Sequence, residues 1–172
     1  MDLRYPIGTF EWAGEASAEQ MSKWIDEIEA IPTQLRLAVK GLSPEQLDTP
    51  YRPDGWTLRQ VVHHVADSHM NSYIRFKLAL TEDEPTIKPY EEASWAELAD
   101  SAQPVEVSLT LLDALHERWI VLLRSMSPED FKRSFIHPQN GVVSLTHATG
   151  LYSWHGRHHI AHVTTLRERM GW

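Results

Sequence analysis

Four stretches of this chain repeat apolar residues at the helical period, and each is bounded by residues that start or stop helices. Ser17 with Gln20, and Thr57 with Gln60, have capping-box spacing and open helices over Ala18 to about Val39 and Leu58 to about Thr81. Pro104 sits in the first turn of a third, running to about Ser125. Ser144 or Thr146 starts a fourth, which runs to about Met170 and stops at Gly171. Pro32 predicts a kink in the first helix. Between them, Ser43-Pro44-Glu45-Gln46 and Ser127-Pro128-Glu129-Asp130 each predict a helical turn, and Ser94 with Glu97 caps a short helix ending near Gln103. Residues 131–145 break the pattern: Phe135-Ile136 and Val142-Val143 flank a turn signal at Asn140-Gly141, which predicts an irregular excursion or a small hairpin. Four long helices joined by loops read as an all-α four-helix bundle, one domain over residues 1–172.

Composition narrows what such a bundle can do. Sixteen Lys and Arg stand against 24 Asp and Glu, a formal charge of −8 with no basic run, so neither nucleic acid nor an anionic membrane is an expected partner. The chain has no cysteine, which removes disulfides, thiolate zinc sites, iron–sulfur clusters and cysteine nucleophiles together. No apolar run approaches the roughly 18 residues of a membrane span, and the first residues do not read as a secretory signal, so the cytoplasm is the expected location.

The unusual count is ten histidines. Four of them, His155, His158, His159 and His162, fall within WHGRHHIAH on the last helix. His155, His159 and His162 share a face with Ala148, Leu151, Tyr152 and Leu166. His155 and His159, four apart, stack on one side of the helix and can share an ion; His158 and His162 form a second such pair. Neutral imidazoles suit zinc, nickel, copper or iron, and burying several without partners is costly. The alternative is a histidine-rich helix with one or two rings packed in the core. On the second helix, His69 lies at the apolar centre with Leu58, Val62, Val65 and Phe76; His64 lies on the flank with Ser68 and Asn71, and His63 points to solvent. Spacing alone does not choose between His64 and His69. His116, in the stripe of Leu109, Leu112 and Trp119, reads as a hydrogen-bonded core histidine.

Two segments carry a family resemblance. Trp56-Thr57, with His64 eight residues after the Trp and then Val65-Ala66-Asp67, resembles the first histidine motif of the DinB-like superfamily. His155-Gly156-Arg157-His158-His159, with Leu166 to Gly171 after it, resembles that superfamily's C-terminal HxxxH motif. The fuller strings GWTLRQVVHHVADSHMNSYIRFKLAL and YSWHGRHHIAHVTTLRERMGW are similar to the YfiT branch, and the resemblance covers nearly the whole chain. It implies a DinB-type bundle, a homodimer, and one divalent metal, zinc or nickel, on His64, His155 and His159. His69, His158 and His162 are then neighbours rather than ligands. Ala161-His162 departs from the Gly-Gln of many members. Members of the branch are described as metal-dependent hydrolases, and related proteins transfer thiols such as bacillithiol to small electrophiles.

Three neutral ligands with an open position make the catalytic pattern for zinc, whereas structural sites are closed. Either water is activated, or a low-molecular-weight thiol is held as thiolate. Asp67, one turn from His64, is the carboxylate near the motifs, as base or as acceptor for a ligand imidazole. Ser68 and Asn71 are candidates for substrate contacts, and Arg157 and Arg59 are candidates to bind a thiol cofactor's carboxylates, against a surface role for each. With no HExxH motif to supply a better base, the sequence tips toward thiol transfer over hydrolysis. A non-catalytic metal-binding stress protein is the third reading. The tryptophans read as core and rim packing.

Overall fold

The structure, a computed structural model, describes residues 2–172. Four long helices dominate: α1 (Ala18–Val39), α3 (Leu58–Thr81), α5 (Val105–Ser125) and α7 (Leu145–Met170). Short helices α2 (Pro44–Leu47), α4 (Glu92–Trp95) and α6 (Pro128–Lys132) lie in the connections, with a 3₁₀ turn at Ala99–Ala102. A two-stranded antiparallel hairpin, β1 (Ser134–His137) and β2 (Gly141–Ser144), precedes α7. The all-α bundle with a small hairpin before its last helix is therefore what the chain adopts.

The helix starts follow the chemistry of their caps. Thr57 Oγ1 accepts from the Gln60 backbone N–H while the Gln60 side chain accepts from the Thr57 N–H, and Ser43 and Ser127 open α2 and α6 in the same reciprocal way. Ser144 is the residue that caps α7, and Gly171 ends it in the left-handed conformation at φ 71°. One local expectation is corrected. Ser94 does not cap a helix running to Gln103; it lies inside α4, and the chain re-forms as a separate 3₁₀ turn. Side chains occupy the carbonyls in between: Gln60 Nε2 donates to Ala96 O at 3.0 Å, and Ser101 Oγ donates to Trp95 O at 3.3 Å.

Around the bundle, α1 packs on α5 and α7, and α3 packs on the same two, so α1 faces α3 across one diagonal and α5 faces α7 across the other. The segments 40–57 and 126–144 each carry the chain across a diagonal. This order, rather than a simple up-and-down circuit, sets α3 beside α7 and brings their histidines together. The shared core is made by Ile28, Ile31 and Leu35 of α1, Leu58, Val62 and Phe76 of α3, Leu112, Trp119 and Leu123 of α5, and Val163 and Leu166 of α7. Each such side chain contributes about 1.5–3 kcal/mol on burial. Gly156 lets α7 approach α1 closely: a Cβ there would lie 2.2 Å from Ile31 Cδ1. No helix among the described residues is long and apolar enough to cross a membrane.

Candidate metal centre

His64 comes from α3, and His155 and His159 from successive turns of α7. Their nearest ring nitrogens all lie within 4.8 Å of one another. His64 Nε2 and His155 Nε2 are 3.3 Å apart. Two nitrogens about 2.0–2.1 Å from a tetrahedral ion are separated by nearly that distance. His158, His159 and His162 form a second group of the same tightness, sharing His159.

Burial fixes the charge of these rings. Desolvation holds His155 and His159 well below the ordinary imidazole range, and neighbouring histidines push the same way. His64 falls to about 4 for the same first reason, with repulsion from His162 adding to it. The three are thus neutral donors at physiological pH, the form that ligates. Donor type, spacing and protonation state all fit a divalent ion such as zinc or nickel.

Behind the triad the remaining histidines are buried as well. His69 is fully enclosed, with Nδ1 2.9 Å from His116 Nε2 and Nε2 3.2 Å from His155 Nδ1. His116 Nδ1 donates to Ile28 O at 2.8 Å, in keeping with a hydrogen-bonded core histidine. His162 Nε2 donates to Arg4 O at 3.1 Å and stacks on Tyr51. His158 stacks on Trp154, and its Nδ1 is buried without a partner among the described residues. His63 corrects the sequence reading: it is buried rather than solvent-exposed. Its Nε2 donates to Gln103 O at 2.9 Å and its Nδ1 accepts from Ser108 Oγ at 2.7 Å, because the 3₁₀ turn and α5 cover that face of α3.

The triad opens onto a cavity of about 410 Å³. Of the substrate candidates named from sequence, Ser68 lines it, 3.5 Å from His155 Nε2. Asn71 instead donates to the Asp67 carbonyl. Arg157 donates to Ser153 O and pairs with Glu27, and Arg59 pairs with Asp48 at 2.6 Å. Asp67 is not among the residues lining the cavity; partial burial and repulsion by Asp100 raise its carboxyl to about 6. The walls are supplied by residues that sequence reading passed over. Arg75 of α3 lines the cavity and makes no ion pair among the described residues. Tyr90 comes from the loop before α4 and Glu92 from the first residue of α4, and His137 and Asn140 come from the hairpin. Burial raises Tyr90 to about 12, so it stays a phenol. That loop and the hairpin form one wall, because Ile87 N donates to Ile136 O and Ile136 N to Pro85 O.

A family profile described as the DinB superfamily matches residues 27–163, a span that holds all three histidines of the triad. The chain belongs to the DinB superfamily. A protein of Bacillus mycoides (strain KBAB4) is 61% identical over 171 residues, covering 99% of both chains, and one of Bacillus cereus (strain B4264) is 60% identical with the same coverage. Both bear the name "putative metal-dependent hydrolase". Among solved structures, YfiT from Bacillus subtilis superposes with a TM-score of 0.97 at 53% identity, covering 100% of this chain and 99% of its own. It is described as a probable metal-dependent hydrolase with an unusual four-helix bundle topology. The four-helix bundle protein TT2238, 19% identical with a TM-score of 0.57 over 81% of this chain, shares the fold.

Proposed function

We propose that this chain is a metal-dependent hydrolase of small anionic molecules, with His64, His155 and His159 holding one divalent ion, zinc or nickel. The observation that carries this reading is the convergence of three neutral imidazoles on an open cavity whose walls bear Arg75, Glu92 and His137. A divalent ion held there would polarise a substrate oxygen and acidify water. With three histidine ligands and no carboxylate among them, the ion's charge is not neutralised by the protein. Arg75, which makes no ion pair among the described residues, is placed to receive a carboxylate or phosphate of the substrate. Glu92 is the carboxylate of the cavity and takes the part of general base, with His137 as the second acid–base group; Tyr90, held as a phenol, donates a hydrogen bond. Asp67 stays outside this scheme, since its carboxyl is not on the cavity wall.

The second reading keeps the ligands and changes the nucleophile to a low-molecular-weight thiol such as bacillithiol. The same Arg75 favours it, because such thiols carry carboxylates, and the chain has no cysteine of its own to compete for the ion. Against it, Glu92 and His137 on the cavity wall offer hydrolysis the base that the sequence motifs lack. The deciding experiment reconstitutes tag-free protein with zinc or nickel and screens activated esters, amides and phosphoesters, and then epoxides and alkyl halides, with and without thiol. Turnover that needs metal and no thiol supports hydrolysis. Conjugation that needs both supports transfer. Metal binding with no turnover on either panel would point to a non-catalytic metal protein.

A further inference from the structure

The ring nitrogens around the triad form two chains, and each ends on a backbone carbonyl. A carbonyl only accepts, so every proton along a chain of neutral imidazoles is placed once its end is known. In the first chain the end is Ile28 O. Pro32 has no N–H, so this carbonyl lacks its usual partner in α1 and takes the Nδ1–H of His116 at 2.8 Å instead. His116 Nε2 then carries a lone pair, and His69 Nδ1–H donates to it at 2.9 Å. His69 Nε2 in turn accepts from His155 Nδ1–H at 3.2 Å. The last lone pair, on His155 Nε2, faces His64 Nε2. In the second chain the end is Arg4 O, which takes His162 Nε2–H at 3.1 Å. His162 Nδ1 accepts from His159 Nδ1–H at 3.3 Å, leaving the lone pair on His159 Nε2.

We infer that these two relays hold His155 and His159 in the Nδ1–H tautomer, so that both present Nε2 to the ion before it arrives, with His69, His116 and His162 as positioning residues. The inference rests on the reading of His155 and His159 as ligands. It gives work to three buried histidines that the ligand set leaves idle, and it assigns the second histidine cluster a part in the first site rather than an ion of its own. An unconstrained imidazole prefers the opposite tautomer, so both relays remove a reorganisation that binding would otherwise require. Metal-bound histidines usually donate to a carboxylate, a carbonyl or water. Here the immediate acceptors are neutral imidazoles, so the ligands are oriented without adding negative charge beside the ion.

The test uses the full chain stripped of metal and labelled with ¹⁵N, with long-range ¹H–¹⁵N imidazole correlations recorded near pH 7.5. Protonated Nδ1 is expected at His69, His116, His155 and His159, and protonated Nε2 at His162. An Nε2–H form at His155 or His159, or averaging between tautomers, would overturn the inference. Zinc affinity is then measured by chelator competition on paired variants. A glutamine at 116 or 162 can donate to the carbonyl and accept from the next ring, so His116→Gln and His162→Gln should stay within a few-fold of the parent chain. His116→Leu and His162→Leu should lose about 10–100-fold and show mixed tautomers at His155 and His159 respectively. Equal affinities for Gln and Leu at both positions, in chains folded by circular dichroism, would refute the positioning role. A parent chain that binds no zinc or nickel would sink the metal reading, while the tautomers would still judge the relays by themselves.

Discussion

Replacing Gly156 by alanine tests the packing that holds His155 and His159 in register with His64. The residue sits between His155 and His159, where α7 lies against α1. A Cβ at this position would stand 2.2 Å from Ile31 Cδ1 and 2.6 Å from its Cγ1. Carbon atoms pack at about 3.5–4.0 Å, so relief needs a movement of more than about 1 Å. Ile31 has no exposed surface and its branched Cβ restricts χ1, so it can move aside only by displacing packed neighbours. Two effects then oppose each other. Alanine gains about 1 kcal/mol over glycine within a helix, and overpacking a core costs about 1–3 kcal/mol. The expected net is a loss of up to about 2 kcal/mol, read as a lower urea midpoint for the metal-free chain. Metal binding should suffer more, because ligand distances must hold to about 0.2 Å and the shifted helix carries two of the three proposed ligands. We expect zinc affinity to fall at least tenfold. A variant more stable by about 1 kcal/mol with unchanged affinity would show helix propensity acting alone, and the close approach of α1 and α7 would be refuted.

Other outcomes follow from single groups. His116 titrates near 4 in the folded chain, chiefly through burial, against 6.5 unfolded. The unfolded state therefore binds the extra proton between these values, so stability is fully present above about pH 6.5 and falls toward pH 4. This one group accounts for up to about 3 kcal/mol, and equal urea midpoints at pH 7.5 and 4.5 would contradict it. Arg75→Ala should reduce kcat/KM for anionic substrates about 10–100-fold while leaving zinc affinity near the parent value; unaltered turnover would remove Arg75 from the site. Asp100→Asn should bring the Asp67 carboxyl down from about 6, followed by ¹³C shifts, because their repulsion is lost. Asp67→Asn should keep zinc affinity within a few-fold, whereas a tenfold loss would make Asp67 a partner of a ligand ring.

The helices, the hairpin and most caps were legible because they depend on local chemistry: Thr57 with Gln60, Ser144, Asn140-Gly141 and Gly171 each act on neighbours a few residues away. The bundle's order was less so, since nothing local in Ser43-Pro44 or in residues 131–145 says that the chain crosses a diagonal. His63 shows the limit of a helical wheel, which knows one face of α3 is apolar but not that a 3₁₀ turn covers another. Periodicity favoured His69 over His64 for burial, and His69 is indeed the more buried, yet its nitrogens are taken by His116 and His155. The family motif, not the spacing, singled out His64. Arg75, Tyr90, Glu92 and His137 left no signal that periodicity could detect, because three of them lie in segments read as connectors and meet only when the loop before α4 pairs with β1.

The diagonal crossings also bear on the order in which the molecule comes into being. His64 and His155 are separated by 91 residues, and His155 and His159 both lie on α7, the last of the four long helices. During synthesis, α1, α3 and α5 can collapse with His64 and His69 already aligned, yet none of that is a site until α7 docks. Closing so long a loop is slow relative to local helix formation. An ion that binds only the finished arrangement would act as a late clamp, adding about 2.7 kcal/mol when free metal exceeds its dissociation constant a hundredfold. On the proposed ligand set, the three-histidine grip forms only when α7 joins α1, α3 and α5, so folding itself would govern when the protein begins to draw on the metal pool.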